Sequence, residues 1–305
     1  MSHPSAGLIQ PSRLVGPELP ATTRSVDIEG LEAELRATTS AEVRFDAGSR
    51  ALYATDASNY RLVPLGLVVP RTIDDVIATV AACRRFGAPI VSRGAGTSMA
   101  GQTTNVAVVI DFSKYLDGIV EVNTKERYAW VQPGLICDDL KRATASHRLT
   151  FGPDPATHNR CTFGGMIANN ACGTHAQMAG KTVDNVEELD VLLYDGIRMV
   201  VGWTTEDELD ARCARGDAEG RIHSQIRAFR KKWGPLIAER YPRLPRRVSG
   251  YNLDELLPKK DGRFNLARAL VGTEGTCVTY LKAKVRLVDS RPERVLLVLG
   301  YPDLF

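Results

Sequence analysis

Apolar positions along the chain change period several times, and each change predicts an element. In "DIEGLEAELRATTS" the residues Ile28, Leu31 and Leu35 share one face at helical spacing, and the pattern ends before the polar "AEVRFDAGSR". From Leu65 the stretch "LGLVVP" reads as a strand, and Thr72 then caps a helix in which Val76, Ile77, Val80 and Ala81 recur at helical spacing. Gly87 stops that helix, "APIVSRG" is the next strand and "VAVVIDF" the one after it. The interval between Gly96 and Val106 is too short for a crossover helix. A parallel βαβ unit is therefore excluded there, and the pattern predicts a strand, a tight turn and a returning strand.

A second group of elements begins near Leu116. "GIVEVN" and "YAWVQPG" predict paired antiparallel strands about a "TKE" turn, followed by a helix in "ICDDLKRATASHR". "EELDVLLYDGIRMVVG" predicts two strands joined at Asp195 and Gly196, and "ALVGTEGTCVTYLKAKVRLV" an extended, β-rich segment. The sequence closes on "ERVLLVLGYPDLF", which reads as a strand without a return partner. On that ground the chain is expected to be a piece of something longer. Residues 1 to about 26 are polar and proline-rich and read as an arm that orders on contact.

The 305 residues suffice for two lobes, and 44% hydrophobic with 25% charged residues is the composition of a soluble globular protein. No N-terminal apolar region marks a signal peptide and no run is long enough to span a bilayer, so a cytoplasmic location is expected. The cysteines at 83, 137, 161, 172, 213 and 277 form no C-x-x-C pair and no His/Cys ligand spacing. They read as free thiols, with neither a metal site nor an iron–sulfur cluster in this chain. A net charge of +3 does not argue for nucleic acid. The basic run of residues 227–247 reads as a solvated surface helix and loop, with partner docking or peripheral membrane contact as the alternative.

Chemistry concentrates in the glycine-rich stretch "PIVSRGAGTSMAGQTTNVAVVIDF". Gly96 to Thr103 match the spacing of a nucleotide triphosphate loop, but Gln102 stands where its lysine belongs and a strand follows in place of a helix. A dinucleotide fingerprint starts at Gly94 and Gly96 and fails at Met99. Two readings remain: a turn whose N–H groups and hydroxyls converge on an anion, or a hairpin loop that binds nothing. Further small-residue segments accompany it: Pro133-Gly134, "GPDPATHNRCTFGGMIANNACGT" and "GTEGT". In the second of these, Thr162 to Gly165 precede a short helix-compatible run whose N-terminus suits an anion.

In order and local pattern these segments resemble the FAD-binding domain of the vanillyl-alcohol oxidase (PCMH) type, within the FAD-linked oxidase group that contains D-lactate, glycolate and D-2-hydroxyglutarate dehydrogenases. The carriers are "DASNYRLVPLGLVVPRT", "PIVSRGAGTS", "VQPG", "DPATHNRCTFGGMIANNACGT", "TVDNVEELDVLLYDG" and "ARALVGTEGT", spread from about Asp56 to Val288. The wording is most similar to large bacterial members that append an iron–sulfur domain. The resemblance implies an α+β, two-lobed fold with noncovalent FAD, divided into an arm and helix (1–61), a first FAD-binding lobe (62–115), a second (116–290) and the start of a truncated cap (291–305).

It also implies residue roles. Arg93, Gly94, Ala95, Gly96, Thr97 and Ser98 would wrap the FAD pyrophosphate, and Pro133 and Gly134 would border the cofactor. Asp154, Pro155, Thr162, Gly164 and Gly165 would line its diphosphate and ribityl chain. Ala168, Asn170, Gly173, Asn185 and Val186 would approach the ring, and Glu274 and Gly275 would line the flavin and adenine side. Thr97 occupies the position where relatives with covalently attached flavin carry a histidine. Cys161 and Cys172 lie near the implied path but read as ordinary thiols; His158 and His175 are candidate bases, with His175 the weak candidate for catalysis. The His- and Gly-rich metal-and-base motif of the hydroxy-acid members is absent from this chain, as are the iron–sulfur cysteines of the large relatives. The implied function is an FAD-dependent oxidoreductase module whose full-length form dehydrogenates a D-2-hydroxy acid, D-lactate or D-2-hydroxyglutarate, by hydride transfer to FAD. The alternative is a non-catalytic flavin-binding or electron-relay subunit that takes its substrate cap from a partner.

Overall fold

The computed structural model describes residues 26–291, 293 and 295–303; the arm of residues 1–25 lies outside them. The first lobe contains helices α1 (Ile28–Thr38), α2 (Ala47–Leu52) and α3 (Ile73–Arg85). Its strands are β1 (Glu42–Arg44), β2 (Gly66–Val69), β3 (Ile90–Arg93) and β4 (Val108–Asp111). They form one sheet in the order β1-β2-β4-β3. Leu31 and Leu35 on α1 are fully buried, as the helical spacing requires, and α3 starts in a capping box in which Thr72 and Asp75 satisfy each other's backbone N–H groups. Segment 1–61, read from the sequence as an arm and helix, thus adds α1, β1 and α2 to this lobe; β1 pairs antiparallel with β2.

One expectation fails here in an informative way. β3 does not hand the chain back in a hairpin: β4 runs parallel to β3, with Ile90 opposite Val108 and Arg93 opposite Asp111, and also parallel to β2. A crossover helix is absent, but segment 94–107 supplies the return without one. An extended chain covers about 3.3 Å per residue, ample to run back along a strand of four residues. The connection runs from the end of β3 at Arg93 to the start of β4 at Val108, longer than the stretch from Gly96 to Val106. The result is a long irregular loop at the carboxyl end of β3, on an edge of the sheet.

The second lobe begins with β5 (Ile119–Asn123) and β6 (Tyr128–Val131), then α4 (Cys137–Thr144), β7 (Leu149–Thr150) and α5 (Phe163–Asn169). Short helices α6 (Ala176–Ala179) and α7 (Thr182–Asn185) lead into β8 (Val186–Leu192), β9 (Arg198–Val201) and β10 (Trp203–Thr204). Helices α8 (Glu206–Cys213) and α9 (Ala218–Arg240) follow, then β11 (Phe264–Asn265), α10 (Leu266–Leu270), β12 (Thr279–Arg286) and β13 (Val288–Asp289). The main sheet is antiparallel in the order β5-β6-β12-β8-β9, and its Asp195-Gly196 hairpin has Gly196 at φ +93° as the tight turn demands. The segment read as β-rich from Ala269 starts instead as the end of α10. The basic run lies on the carboxyl-terminal part of α9 and the loop after it, where Lys231, Lys232 and Arg240 are exposed. Residues 295–299, read as a strand, form none here, and their side chains are 61–93% exposed. Among the described residues no helix is long and apolar enough to cross a membrane.

The two lobes share a core. Val76 and Val80 of α3, Ile110 of β4, Phe112 and Leu116 pack with Leu192 of β8 and Leu281 of β12, all nearly inaccessible. Burying each such side chain contributes roughly 2 kcal/mol. At this seam the backbone of Gly134 comes so close to the connection between the lobes that an added Cβ would lie 2.0 Å from the Phe112 carbonyl oxygen. Its N–H donates to the carbonyl of Leu116 at 2.8 Å. The seam fixes the lobes to each other, and a cleft opens beside it.

Candidate functional site

The cleft has a volume of about 560 Å³, within the usual span of roughly 300–1,000 Å³ for small-molecule and cofactor sites. One side is the β3 edge with Ile90, Val91 and Ser92, together with the loop beyond it. The other is built from α5, the loop 272–276 and the start of β12. Phe112, Pro133, Ala168, Val278 and Tyr280 give it an apolar wall.

The loop 94–107 is held open from behind. The Arg93 guanidinium ties this loop to residues 53–55, donating to the carbonyls of Thr55 (2.8 Å), Tyr53 (3.2 Å) and Thr103 (3.4 Å) and stacking over the Tyr53 ring. Thr103 donates to Asp56 at 2.8 Å, and Ala57 N–H to the Gly96 carbonyl at 3.0 Å. Gly96 itself sits at φ +67°, where a side chain is strained. With the carbonyls so tied, no hydrogen bond among the described residues takes the backbone N–H of Ala95, Gly96, Thr97 or Ser98. Successive uncommitted N–H groups make an anion-binding concavity.

Facing this loop is the start of α5. Its N-cap Thr162 does not use its side chain to cap, and the Thr162 hydroxyl is buried without a partner although the residue is only 3% exposed. The N–H of Gly165 is likewise uncommitted among the described residues. Gly94 makes the approach possible, since a Cβ there would lie 2.0 Å from that hydroxyl oxygen. A buried hydroxyl left unpaired costs about 1–3 kcal/mol, so a ligand that accepts from it recovers that penalty. Replacing Thr162 with Val is accordingly expected to leave the apo-protein at least as stable while weakening cofactor binding three- to tenfold, read by melting temperature and flavin titration.

Two side-chain bonds cross between the lobes at the rim: Asn169 donates to Ser98 Oγ at 3.1 Å, and Gln102 to Glu274 at 3.4 Å. The loop carrying Glu274 hangs from the end of α5, its Gly272 and Glu274 N–H groups donating to the carbonyls of Ile167 and Ala168 at 2.9 and 3.0 Å. Gly272, Glu274 and Gly275 all have positive φ, which bends the loop toward the cleft.

Of the residues selected from sequence, the cleft gathers Arg93, Gly94, Ser98, Pro133, Thr162, Gly164, Gly165, Ala168, Glu274 and Gly275. Ala95, Gly96 and Thr97 lie in the loop between the lining residues Gly94 and Ser98. Gly134 serves the seam. The remaining group forms a separate layer next to α5: Asn170, in the left-handed region, accepts from Val183 N–H at 3.0 Å, and Asn185 donates to the carbonyls of Ala179 and Lys181 at 2.7 and 2.9 Å. Val186 is buried at the start of β8, and Pro155 closes a turn through its carbonyl to His158 N–H. The backbones at Gly173 and Asp154 pack so tightly that a Cβ on Gly173 would lie 1.8 Å from the Asp154 carbonyl oxygen. Burial pushes the Asp154 carboxyl up, but hydrogen bonds from the His175 backbone and ring and from Thr174 outweigh it and hold it below the ordinary carboxylate range. His175 is therefore engaged with Asp154 at the surface and does not line the cleft; His158 pairs with Asp138 at 2.8 Å, also outside it.

Of the apolar wall, Pro133 and Ala168 are among the residues selected from sequence and Phe112, Val278 and Tyr280 are not; nor are the lining residues Tyr194, Asn169, Cys277 and Gln102. Tyr194 and Tyr280 are anchored through their hydroxyls to the carbonyls of Ala88 and Leu270, each at 2.8 Å, and burial pushes both phenols up, so they stay neutral.

The donors, the small-residue cradle and the apolar wall fit a dinucleotide carrying a diphosphate and a flat ring. Residues 64–202 match the family described as FAD binding domain. The chain is 34% identical to a D-2-hydroxyglutarate dehydrogenase of Pseudomonas putida over 276 residues, covering 90% of this chain and 27% of that protein. It is 35% identical over 156 residues to the glycolate oxidase subunit GlcD of Escherichia coli, covering 50% of this chain and 30% of the relative. The chain thus spans little more than a quarter of the length of these relatives. Among solved structures, alkyldihydroxyacetonephosphate synthase superposes with a TM-score of 0.60 at 16% identity, covering 86% of this chain and 44% of that one, a likeness of fold.

Proposed function

We propose, from the premise that residues 64–202 belong to the FAD binding domain family, that this chain is the cofactor-holding part of an FAD-dependent dehydrogenase acting on a small 2-hydroxy acid of the D-2-hydroxyglutarate, D-lactate or glycolate kind. The observation that carries the reading is the row of uncommitted N–H groups at 95–98, set opposite the unpaired Thr162 hydroxyl and the Gly165 N–H. Those donors would hold the diphosphate, the side-chain-free Gly165 would leave room for it beside α5, Ala168 would let the ring approach, and the wall of Phe112, Val278 and Tyr280 would exclude water from one flank. The Ser98–Asn169 and Gln102–Glu274 bonds would keep the two lobes at the spacing the dinucleotide needs. When bound, FAD supplies the two-electron acceptor for oxidising the substrate's hydroxyl carbon. The substrate class is supported by the similarity to D-2-hydroxyglutarate dehydrogenase along most of the chain.

We assign the two lobes to residues 62–115, with α1, β1 and α2 added, and 116–290. The cofactor is proposed to be noncovalent, because Thr97 stands where a linking histidine would be and no histidine among the described residues lines the cleft. Acid precipitation of the flavin-loaded protein should leave the colour in the supernatant, and a yellow pellet would overturn this.

A second reading is an electron-relay subunit whose substrate cap and base come from elsewhere, since the relatives extend well beyond the part this chain matches. Anaerobic mixing of the flavin-loaded protein with D-2-hydroxyglutarate, D-lactate and glycolate separates the two. Bleaching of the oxidised flavin band by one of these acids supports the dehydrogenase. Bleaching by dithionite alone, with every acid inert, supports the relay.

A further inference from the structure

Cys277 differs from the other cysteines in where it lies. Cys83, Cys137 and Cys161 are buried, and Cys172 and Cys213 are half-buried, with Cys172 accepting a hydrogen bond from Arg246 at 3.2 Å. Cys277 is exposed, and it lines the cleft between Thr276 and Val278. Thr276 is itself occupied, donating to the Thr273 carbonyl at 2.6 Å, paired with the Tyr251 hydroxyl at 2.5 Å and lying 3.8 Å from Cys277 Sγ, so the loop before β12 that carries Cys277 is held in place while Cys277 stays exposed. The ligand character of the cleft rests on a separate observation, the unpaired, 97%-buried Thr162 hydroxyl set between the cleft-lining Gly94 and Gly165.

We propose that Cys277 is a thiolation site for small disulfides of the glutathione disulfide class, and that the mixed disulfide and the FAD dinucleotide exclude each other from the cleft. In the exchange, the Cys277 thiolate attacks one sulfur of glutathione disulfide. A new S–S bond joins Cys277 to one glutathione, the original S–S bond breaks, and the second glutathione leaves as its thiolate. Cys277 is oxidised and the departing half is reduced. A tripeptide attached there fills space that the dinucleotide needs, and conversely a loaded cofactor covers the sulfur. The consequence is a redox gate on cofactor loading that acts on the apo-protein and spares the loaded form.

The inference rests on the reading of this cleft as the FAD site, and the test separates the two. Untreated apo-protein is first titrated with FAD by flavin fluorescence; no binding here would overturn the cofactor reading itself. Given binding, apo and FAD-loaded protein are treated with glutathione disulfide and mapped by peptide mass spectrometry. Expected is one dominant adduct, on Cys277, slowed at least tenfold by FAD and absent from Cys277→Ser. The thiolated apo-protein should bind FAD at least tenfold more weakly, with affinity restored by dithiothreitol. Equal modification rates with and without FAD, unchanged FAD affinity after thiolation, or a dominant adduct on Cys172 would each overturn the inference.

Discussion

Gly165→Leu is expected to lower FAD affinity about a hundredfold while leaving the apo-protein as stable as the parent or slightly more so. Gly165 lies inside α5, where a Cβ would meet nothing nearer than the Thr162 hydroxyl oxygen at 3.6 Å, an ordinary contact. Replacing a helical glycine with leucine favours the helix by roughly 0.8 kcal/mol. The new side chain has only the cleft to grow into. Forcing a ligand past extra methylene groups in a fitted site costs about 1–3 kcal/mol, and the upper end of that range is about two orders of magnitude in Kd. Flavin titration and a melting curve on the same variant check both halves. A variant that binds FAD like the parent would place the cofactor elsewhere, and one that loses its fold would show that α5 cannot carry the side chain.

The opposite pattern is expected at Gly134→Ala. Its Cβ would lie 2.0 Å from the Phe112 carbonyl oxygen and 2.8 Å from that of Leu116, both backbone atoms that cannot swing aside. Relief requires the connection between the lobes to move, which disturbs the cluster of Phe112, Leu116, Leu192 and Leu281. A backbone clash at such a seam is expected to destabilise by about 3–4 kcal/mol. For a chain of this size that lowers the apo melting temperature on the order of 10 °C. An unchanged melting temperature would mean that the lobes are not fixed through this contact.

These two glycines show how far the sequence could be read. Both stand in small-residue segments, Pro133-Gly134 and Thr162 to Gly165, that resemble cofactor-contacting motifs, yet one belongs to the seam and the other to the cleft. Nothing in their immediate neighbours distinguishes a glycine needed for a ligand from one needed for a carbonyl of the chain itself. The elements were legible because each has its own signal: the 3.6 spacing in α1 and α3, the Thr72 cap and the Asp195-Gly196 hairpin. The direction of β4 was not, because strand direction depends on where a helix-free loop can reach. Most of the apolar wall stayed hidden for a related reason. Val91, Val278 and Tyr280 look like ordinary strand residues until two sheets far apart in sequence meet beside them.

The placement of the cofactor is tested most directly by the crystal structure of this protein with FAD. The expected density has the diphosphate against the N–H groups of residues 95–98 and of Gly165, within hydrogen-bonding reach of the Thr162 hydroxyl, with the dinucleotide running along the cleft between β3 and α5. Density for FAD outside that cleft, or a diphosphate that leaves those N–H groups and the Thr162 hydroxyl unpaired, would contradict it.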